Sequence, residues 1–97
     1  MILVFGTVCV DRIRRIEKLP RPGGYAEVTE QREILGGEAA NTACHLTMWR
    51  DEVILAGNSL GAGFEGERLR LLVLQKGLSD QYLARHGSTP VCDVYVS

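Results

Sequence analysis

The sequence lacks an excess of charge of either sign, and it lacks a long apolar run. Its 97 residues carry a formal net charge of −1, which gives no electrostatic reason to expect binding to nucleic acid or to an anionic membrane. No apolar run approaches the ~20 residues that span a bilayer. Met1 to Phe5 show neither the basic segment nor the small-residue cleavage site of a secretory signal. These absences argue against nucleic-acid and membrane partners and favour the cytoplasm.

The sequence also lacks paired cysteines. Cys9, Cys44 and Cys92 are odd in number, far apart and embedded in apolar runs. No two of them have the short spacing of a zinc-binding motif. We interpret all three as small buried hydrophobic residues in a reducing compartment. This usage predicts a cytoplasmic protein without a metal site.

The composition is that of one small domain, with an apolar fraction of 45% and a charged fraction of 24%. A nearly continuous apolar run at residues 2–8 predicts a strand covered on both faces. Helices are predicted at residues 42–50 and 65–76, and further strands at residues 28–35, 53–56 and 90–96. This alternation predicts an α/β fold, with a mostly parallel sheet flanked by helices. Residues 11–35, where charges separate the apolar residues, are predicted to form exposed antiparallel strands outside that sheet.

The most informative segment runs from Gly36 to Asn41 and reads Gly-Gly-Glu-Ala-Ala-Asn, between a predicted strand and a predicted helix. Two glycines at such a junction let the backbone come close to a ligand, and the start of a helix presents unpaired N–H groups to it. Asn41 in the first turn offers both a donor and an acceptor. The pattern suits the binding of a polyhydroxylated small molecule, and a tight connection without a ligand is the alternative.

Asp11 is the second candidate for contact with a ligand. It follows the apolar run of the first predicted strand, and the ligands of open α/β sheets gather at the carboxyl ends of strands. An ionised carboxylate accepts hydrogen bonds from two adjacent hydroxyls, which orients a sugar. The alternative is that Asp11 only forms a turn or caps a loop.

Taken in order, these segments resemble the opening part of the ribokinase-like (PfkB) family of carbohydrate and nucleoside kinases. The resemblance extends over nearly the whole chain, and Gly-Gly-x-x-x-Asn is its most specific element. It implies that residues 1–97 are the N-terminal portion of a single ribokinase-like domain. A small β lid within about residues 12–35 would stand over the sugar and often form a homodimer contact. The resemblance also implies that Asp11, Gly37 and Asn41 contact the substrate, and Gly36 and Glu38 complete the predicted set of substrate-binding residues.

Two positions depart from the pattern of the family. Glu38 stands where ribokinases proper carry a lysine, which alters the preference for hydroxyl or phosphate groups. Cys9 occupies a position where some relatives carry a polar ligand such as asparagine, which weighs against a ribose-like substrate. Glu38 also has a second interpretation, as an acid favoured at a helix N-terminus by the macrodipole.

The catalytic signature of the family, Gly-Ala-Gly-Asp, is incomplete at Gly61-Ala62-Gly63, because Phe64 follows in place of the acid. No Gly-x-x-x-x-Gly-Lys-Ser/Thr phosphate-binding loop is present either. The glycine-rich stretch is interpreted as the turn before the second helix. We therefore expect no catalytic residue, nucleotide site or metal site in this chain. ATP and Mg²⁺ are expected for the complete enzyme only.

The leading hypothesis is the sugar-binding N-terminal part of an ATP-dependent PfkB-type carbohydrate kinase, in which Asp11, Gly37 and Asn41 orient the acceptor. The alternative is a non-catalytic binding or interaction module, a truncated remnant of a kinase. A dinucleotide-binding domain is disfavoured because the segment from Gly6 to Asp11 lacks the Gly-x-Gly-x-x-Gly turn.

Overall fold

Five strands and two helices make up the computed structural model, which describes residues 1–97. In chain order the elements are β1 (Ile2–Gly6), β2 (Cys9–Ile16), β3 (Val28–Gly36), α1 (Glu38–Met48), β4 (Val53–Gly57), α2 (Gly63–Gln75) and β5 (Val91–Val96). β1 and β4 form a two-stranded sheet, and β3, β2 and β5 form a three-stranded sheet in that order. Neither helix has the length and apolar content needed to cross a membrane.

The first sheet is parallel, and β1 and β4 pair along their whole length. α1 packs against both strands. Three alanines on the packed side of α1 are at most 2% exposed, namely Ala39, Ala40 and Ala43. Their small volume lets the helix lie close to the sheet. α1 begins at Glu38, earlier than the predicted start at residue 42, because Gly37 turns the chain directly from strand into helix.

The opposite face of β1 is open. A strand covered on both faces is predicted for residues 2–8, and this is wrong for the present chain. Leu3 and Phe5 are 63% and 77% exposed, whereas Val4 packs against the core. The cause is that α1 covers one face only, since successive side chains of a strand point to opposite faces. The strand also ends earlier than predicted, at Gly6.

The second sheet is built on β2 and β3, which pair as antiparallel strands, as predicted for this segment. β5 joins it in parallel with β2, with Val91 opposite Val10. The sequence pattern assigns residues 90–96 to the main sheet, and this is wrong. Asp93 and Tyr95 are exposed, and a strand buried on both faces would not accommodate them. We call this three-stranded sheet the lid sheet.

The core lies where the two sheets meet. It is one cluster of 13 buried side chains. Val8 and Val10 enter it from the segment that joins the sheets, and the predicted apolar face of α2 supplies Leu69, Leu72 and Val73. The second predicted helix is therefore confirmed, with its expected face inward.

The three cysteines are unpaired. Cys9 is buried and Cys44 is partly buried, as expected, whereas Cys92 is exposed. The interpretation of all three as buried hydrophobic residues is therefore wrong for Cys92. The reason is its place on β5, an edge strand of the lid sheet.

Candidate functional site

The candidate site lies where the lid sheet meets the carboxyl end of the first sheet. The chain leaves β1, crosses a short break at residues 7–8 and enters β2, while β3 returns to this point and continues into α1. The predicted substrate-binding residues come from β2, from the β3–α1 junction and from the first turn of α1, in the order Asp11, Gly36, Gly37, Glu38 and Asn41. The fold thus brings two distant segments of the sequence to one place.

Asp11 lies inside β2, opposite Ile34 of β3, and not in a loop after the first strand as predicted. Its carboxylate packs directly over Gly36, because a Cβ atom at Gly36 would overlap it. Glycine at this position is therefore a steric requirement of the carboxylate. Asp11 is partly buried, and none of the salt bridges of the chain involves it.

Cys9 supplies the hydrogen bond that Asp11 accepts within the chain. The Cys9 Sγ atom lies 3.5 Å from Asp11 Oδ1. Burial, with the hydrogen bond and charge of Asp11 as further causes, raises the pKa of Cys9 to about 11. The thiol is therefore protonated at neutral pH and remains a donor. Because a thiol is a weak donor, the carboxylate keeps most of its acceptor capacity for a ligand.

Gly37 is the N-cap residue of α1, with φ 96° and ψ 147°. This backbone conformation is essentially restricted to glycine. A Cβ atom at Gly37 would also overlap the carbonyl oxygen of Thr7. The close backbone approach predicted for this glycine therefore exists within the chain, and its partner is the break between β1 and β2.

Glu38 turns back from α1 towards the same break. Its Oε1 accepts the N–H of Thr7 at 3.2 Å. The pKa of Glu38 is lowered because the carboxylate accepts backbone N–H groups, first its own and then that of Thr7. This hydrogen bond ties residues 7–8 to the start of α1. Glu38 is also in the first turn of the helix, where the helix dipole favours an acid. Its assignment as a substrate ligand stays a prediction.

Asn41 lies one turn into α1 and donates its N–H to the carbonyl of Gly37 at 3.0 Å. Its backbone carbonyl lies 2.9 Å from His45 Nδ1, whereas its side chain is exposed and makes no hydrogen bond within the chain. The carboxamide is therefore available to a ligand one helical turn, about 5.4 Å, along α1 from Gly37, the neighbour of the glycine over which Asp11 packs.

Asn58 is a residue of this region that the sequence analysis missed. Directly after β4, its Oδ1 accepts the N–H of Val8 at 2.8 Å. Its Nδ2 donates to the carbonyl of Val8 at 2.8 Å and to that of Ser59 at 2.9 Å. A polar residue at the carboxyl end of a buried strand is the signal that could have identified it.

The glycine-rich turn before α2 contains no acid in the position of a catalytic base. α2 begins at Gly63 after Ala62, and Phe64 is 92% exposed. Glu65, the acid in the first turn, binds Arg12 at 3.1 Å. The chain has no cluster of three metal-ligating side chains.

Sequence comparison relates about half of the chain to a sugar kinase. The chain is 45% identical over 49 residues to a sugar kinase of Dictyostelium discoideum that is described as uncharacterized. The match covers 50% of the chain and 14% of that protein. No protein-family model matches the chain.

Solved structures match nearly the whole chain in fold. The ribokinase of Thermotoga maritima superposes with a TM-score of 0.84 at 18% identity, over 99% of this chain and 32% of that structure. The ribokinase of Arabidopsis thaliana, complexed with ribose and ATP, superposes with a TM-score of 0.78 at 21% identity and the same coverage. The chain has a ribokinase-like fold over a part that corresponds to 32% of the length of these enzymes. The resemblance drawn from the glycine pair and its surroundings is confirmed at the level of fold.

Replacing Gly37 by alanine should destabilise the chain more than the same change at Gly63. Both glycines have positive φ and stand at the start of a helix, but only at Gly37 would a Cβ atom meet other atoms. We expect Gly37→Ala to lower the free energy of unfolding by about 2–5 kcal/mol, and Gly63→Ala by about 1–2 kcal/mol from backbone strain alone. Urea denaturation measures both. Equal losses would contradict the close packing of Gly37 on Thr7.

The lowered pKa of Glu38 predicts a contribution to stability that depends on pH. Because the folded-state pKa lies below the ordinary value of 4.5, the contribution is fully present above that value and is lost as pH falls through the folded-state pKa. Glu38→Gln should therefore unfold at a lower urea concentration than the unaltered chain at about pH 7, and the difference should narrow towards about pH 3. Glu52→Gln removes the same charge from an exposed side chain without a hydrogen bond. The same narrowing in that control would contradict the assignment to Thr7.

Proposed function

We propose that the chain is the sugar-binding N-terminal part of an ATP-dependent carbohydrate kinase. The complete enzyme would transfer the γ-phosphoryl group of ATP to a hydroxyl of a sugar or sugar derivative. The observation that carries the proposal is the carboxylate of Asp11, which packs over Gly36 without a cation, with the free carboxamide of Asn41 one turn along α1. The ribokinase-like fold and the sequence similarity to a sugar kinase support it.

The proposed sugar contacts are chemically complementary to a polyol. The oxygens of Asp11 accept hydrogen bonds from adjacent hydroxyls, and the amide of Asn41 both donates and accepts. Gly36 has no side chain and so leaves room for the carboxylate of Asp11, and Gly37 leaves the start of α1 free of a side chain. Glu38 remains a proposed contact through the part of its exposed carboxylate that does not bind Thr7. Hydrogen bonds to a charged group contribute about 1.5–3 kcal/mol, so Asp11 is expected to contribute most.

In this proposal, ATP and Mg²⁺ are bound by the complete enzyme, at residues outside this chain. Bound Mg²⁺ neutralises phosphate charge and positions the nucleotide for transfer. The ribokinase of Arabidopsis thaliana binds ribose and ATP, which supports both substrates here. The residues of this chain bind and orient the acceptor, and they do not hold the nucleotide.

The open face of β1 supports a longer folded unit. Leu3 and Phe5 stand side by side on that face and are 63% and 77% exposed. Contiguous exposed apolar surface usually marks a place where another protein segment packs. In the proposed enzyme, further elements of the same chain cover it.

The lid sheet is the proposed contact between two copies of the enzyme. Ile34 and Val96 lie on the face of the sheet that carries Asp11, because they pair with Asp11 and Arg15. They are 37% and 38% exposed, and a second copy would bury their apolar surface. Unpaired cysteines are usual in a reducing compartment, and the cytoplasm is the proposed location of this assembly.

Asp11→Ala should weaken sugar binding without unfolding the chain. With D-ribose and D-fructose as probes in isothermal titration calorimetry, we expect about a ten- to hundredfold loss of affinity for whichever sugar binds, because charge-assisted hydrogen bonds are lost. Asp51→Ala is the matched control, since it removes the same charge from an exposed loop at the other end of β4. Unchanged affinity in Asp11→Ala would contradict the assignment of the pocket.

The kinase assignment also predicts what the gene encodes after the codon for Ser97. Phosphoryl transfer needs a group that takes the proton of the acceptor hydroxyl, and this chain offers none at its glycine-rich turn. Sequencing of the transcript should show a reading frame that continues to Gly-Ala-Gly-Asp before a helix. A stop codon directly after Ser97 would favour the non-catalytic binding module.

A further inference from the structure

Asn58 makes three hydrogen bonds at the point where the chain passes from the first sheet to the lid sheet. Its amide pairs with both the N–H and the carbonyl of Val8, as a neighbouring strand would. Asn58 is partly buried and Val8 is fully buried. These bonds are not part of the first sheet, because the pairing of β4 with β1 ends at Gly57. They instead hold the segment of residues 7–8 between β1 and β2.

The break between β1 and β2 has no sheet partner of its own. The pairing of β1 ends before Thr7, and the pairing of β2 with β3 begins after Val8. Side chains take the place of a strand, since Asn58 satisfies Val8 and Glu38 accepts the N–H of Thr7. Buried backbone polar groups without a partner are rare in folded proteins. The buried Val8 therefore depends on Asn58, whereas the bond of Glu38 to the exposed Thr7 is a weaker, solvent-accessible contact.

Two anchors, in addition to the pairing of β2 with β3 and β5, hold the carboxylate of Asp11 in place. The first is Gly36, on which the carboxylate packs. The second is Val8, three residues before Asp11, whose backbone Asn58 ties to the end of β4. Three residues of extended chain span about 10 Å, so a rotation of about 10° at Val8 moves the carboxylate by about 2 Å. Because β2 is paired with β3 and β5, loss of the second anchor would let the lid sheet tilt as a whole at residues 7–8 and carry Asp11 with it.

We propose that Asn58 is a positioning residue of the sugar site, which holds Asp11 in the orientation that accepts sugar hydroxyls. The inference rests on the proposed function, in which the sugar is the ligand of Asp11. We assign Asn58 an indirect role, because both N–H groups of its amide are engaged by Val8 and Ser59 and its oxygen accepts from Val8. Its effect reaches the ligand through the backbone of β2.

Asn58→Ala in the full chain tests this role when it is compared with Ser59→Ala. The hydroxyl of Ser59 lies 2.7 Å from the carbonyl of His86 and accepts the N–H of His86 at 2.8 Å. Ser59→Ala therefore deletes neighbouring hydrogen bonds but leaves Val8 untouched. Asn58→Asp is a second variant, which keeps an acceptor for the N–H of Val8 and loses the donor to its carbonyl. If Asn58→Ala does not fold, the same measurements on Asn58→Asp test the proposal.

Two measurements separate positioning from general stability. The first is the NMR chemical shifts of Asp11 without ligand, and the second is the affinity for D-ribose and D-fructose by calorimetry. We expect both Asn58 variants to shift the Asp11 resonances and to weaken the binding of the sugar by about tenfold or more. Ser59→Ala should change the affinity by less than about twofold, because a site away from the ligand acts independently.

Unchanged Asp11 resonances and unchanged affinity in the Asn58 variants would overturn the inference and leave the proposed function intact. Equal weakening by Ser59→Ala would also overturn it, because the effect would then reflect lost stability. If the unaltered chain binds neither sugar, the proposed function fails, and the positioning role in sugar binding fails with it.

Discussion

The packing of the β3–α1 junction against the break between β1 and β2 is the contact on which the rest of the structure depends. Gly36 lies under the carboxylate of Asp11, and Gly37 lies against the carbonyl of Thr7, and neither position has room for a Cβ atom. The lid sheet, α1 and the first sheet all meet here, so this contact sets their relative directions. It also explains why a pair of glycines stands before the helix, since each one accommodates a different partner.

The electrostatics of the site follow from the isolation of one carboxylate. Two other acids of the lid sheet, Glu33 and Asp93, lie within ion-pair distance of Arg12, whereas Asp11 has only the thiol of Cys9. Partial burial of a charge without a strong partner is unfavourable, so Asp11 gains most from donors that replace the lost water. Neutral hydroxyl groups meet this need, while an anionic ligand would be repelled. In the proposed sugar site, this position would therefore favour a polyol over a phosphate ester.

Local sequence patterns predicted most of the helices and strands, but they did not predict how distant strands pair. The helices and the short strands were predictable because apolar spacing within each segment defines them. The partner of residues 90–96 was not, because it depends on matches such as Arg14 with Asp93, 79 residues apart. In the site, the glycine pair was found from its position before a helix. Asp11 was recognised but placed in a loop, since only the break marks the change of strand, and Asn58 resembled an ordinary turn residue.

The links between the lid sheet and the first sheet differ in strength, and the difference decides which of them controls the site. Arg12 of β2 reaches Glu65 of α2 at 3.1 Å, but partly exposed ion pairs contribute little and are screened by salt. The hydrogen bonds of Asn58 satisfy the backbone of the buried Val8, where an unpaired group costs about 1–3 kcal/mol. Of these two links, the hydrogen bonds of Asn58 with Val8 therefore hold the lid sheet more strongly than the charged contact with α2 does. Asp11 lies three residues after Val8. The hydrogen bonds that join the two sheets at Val8 therefore also help to fix the geometry of the carboxylate.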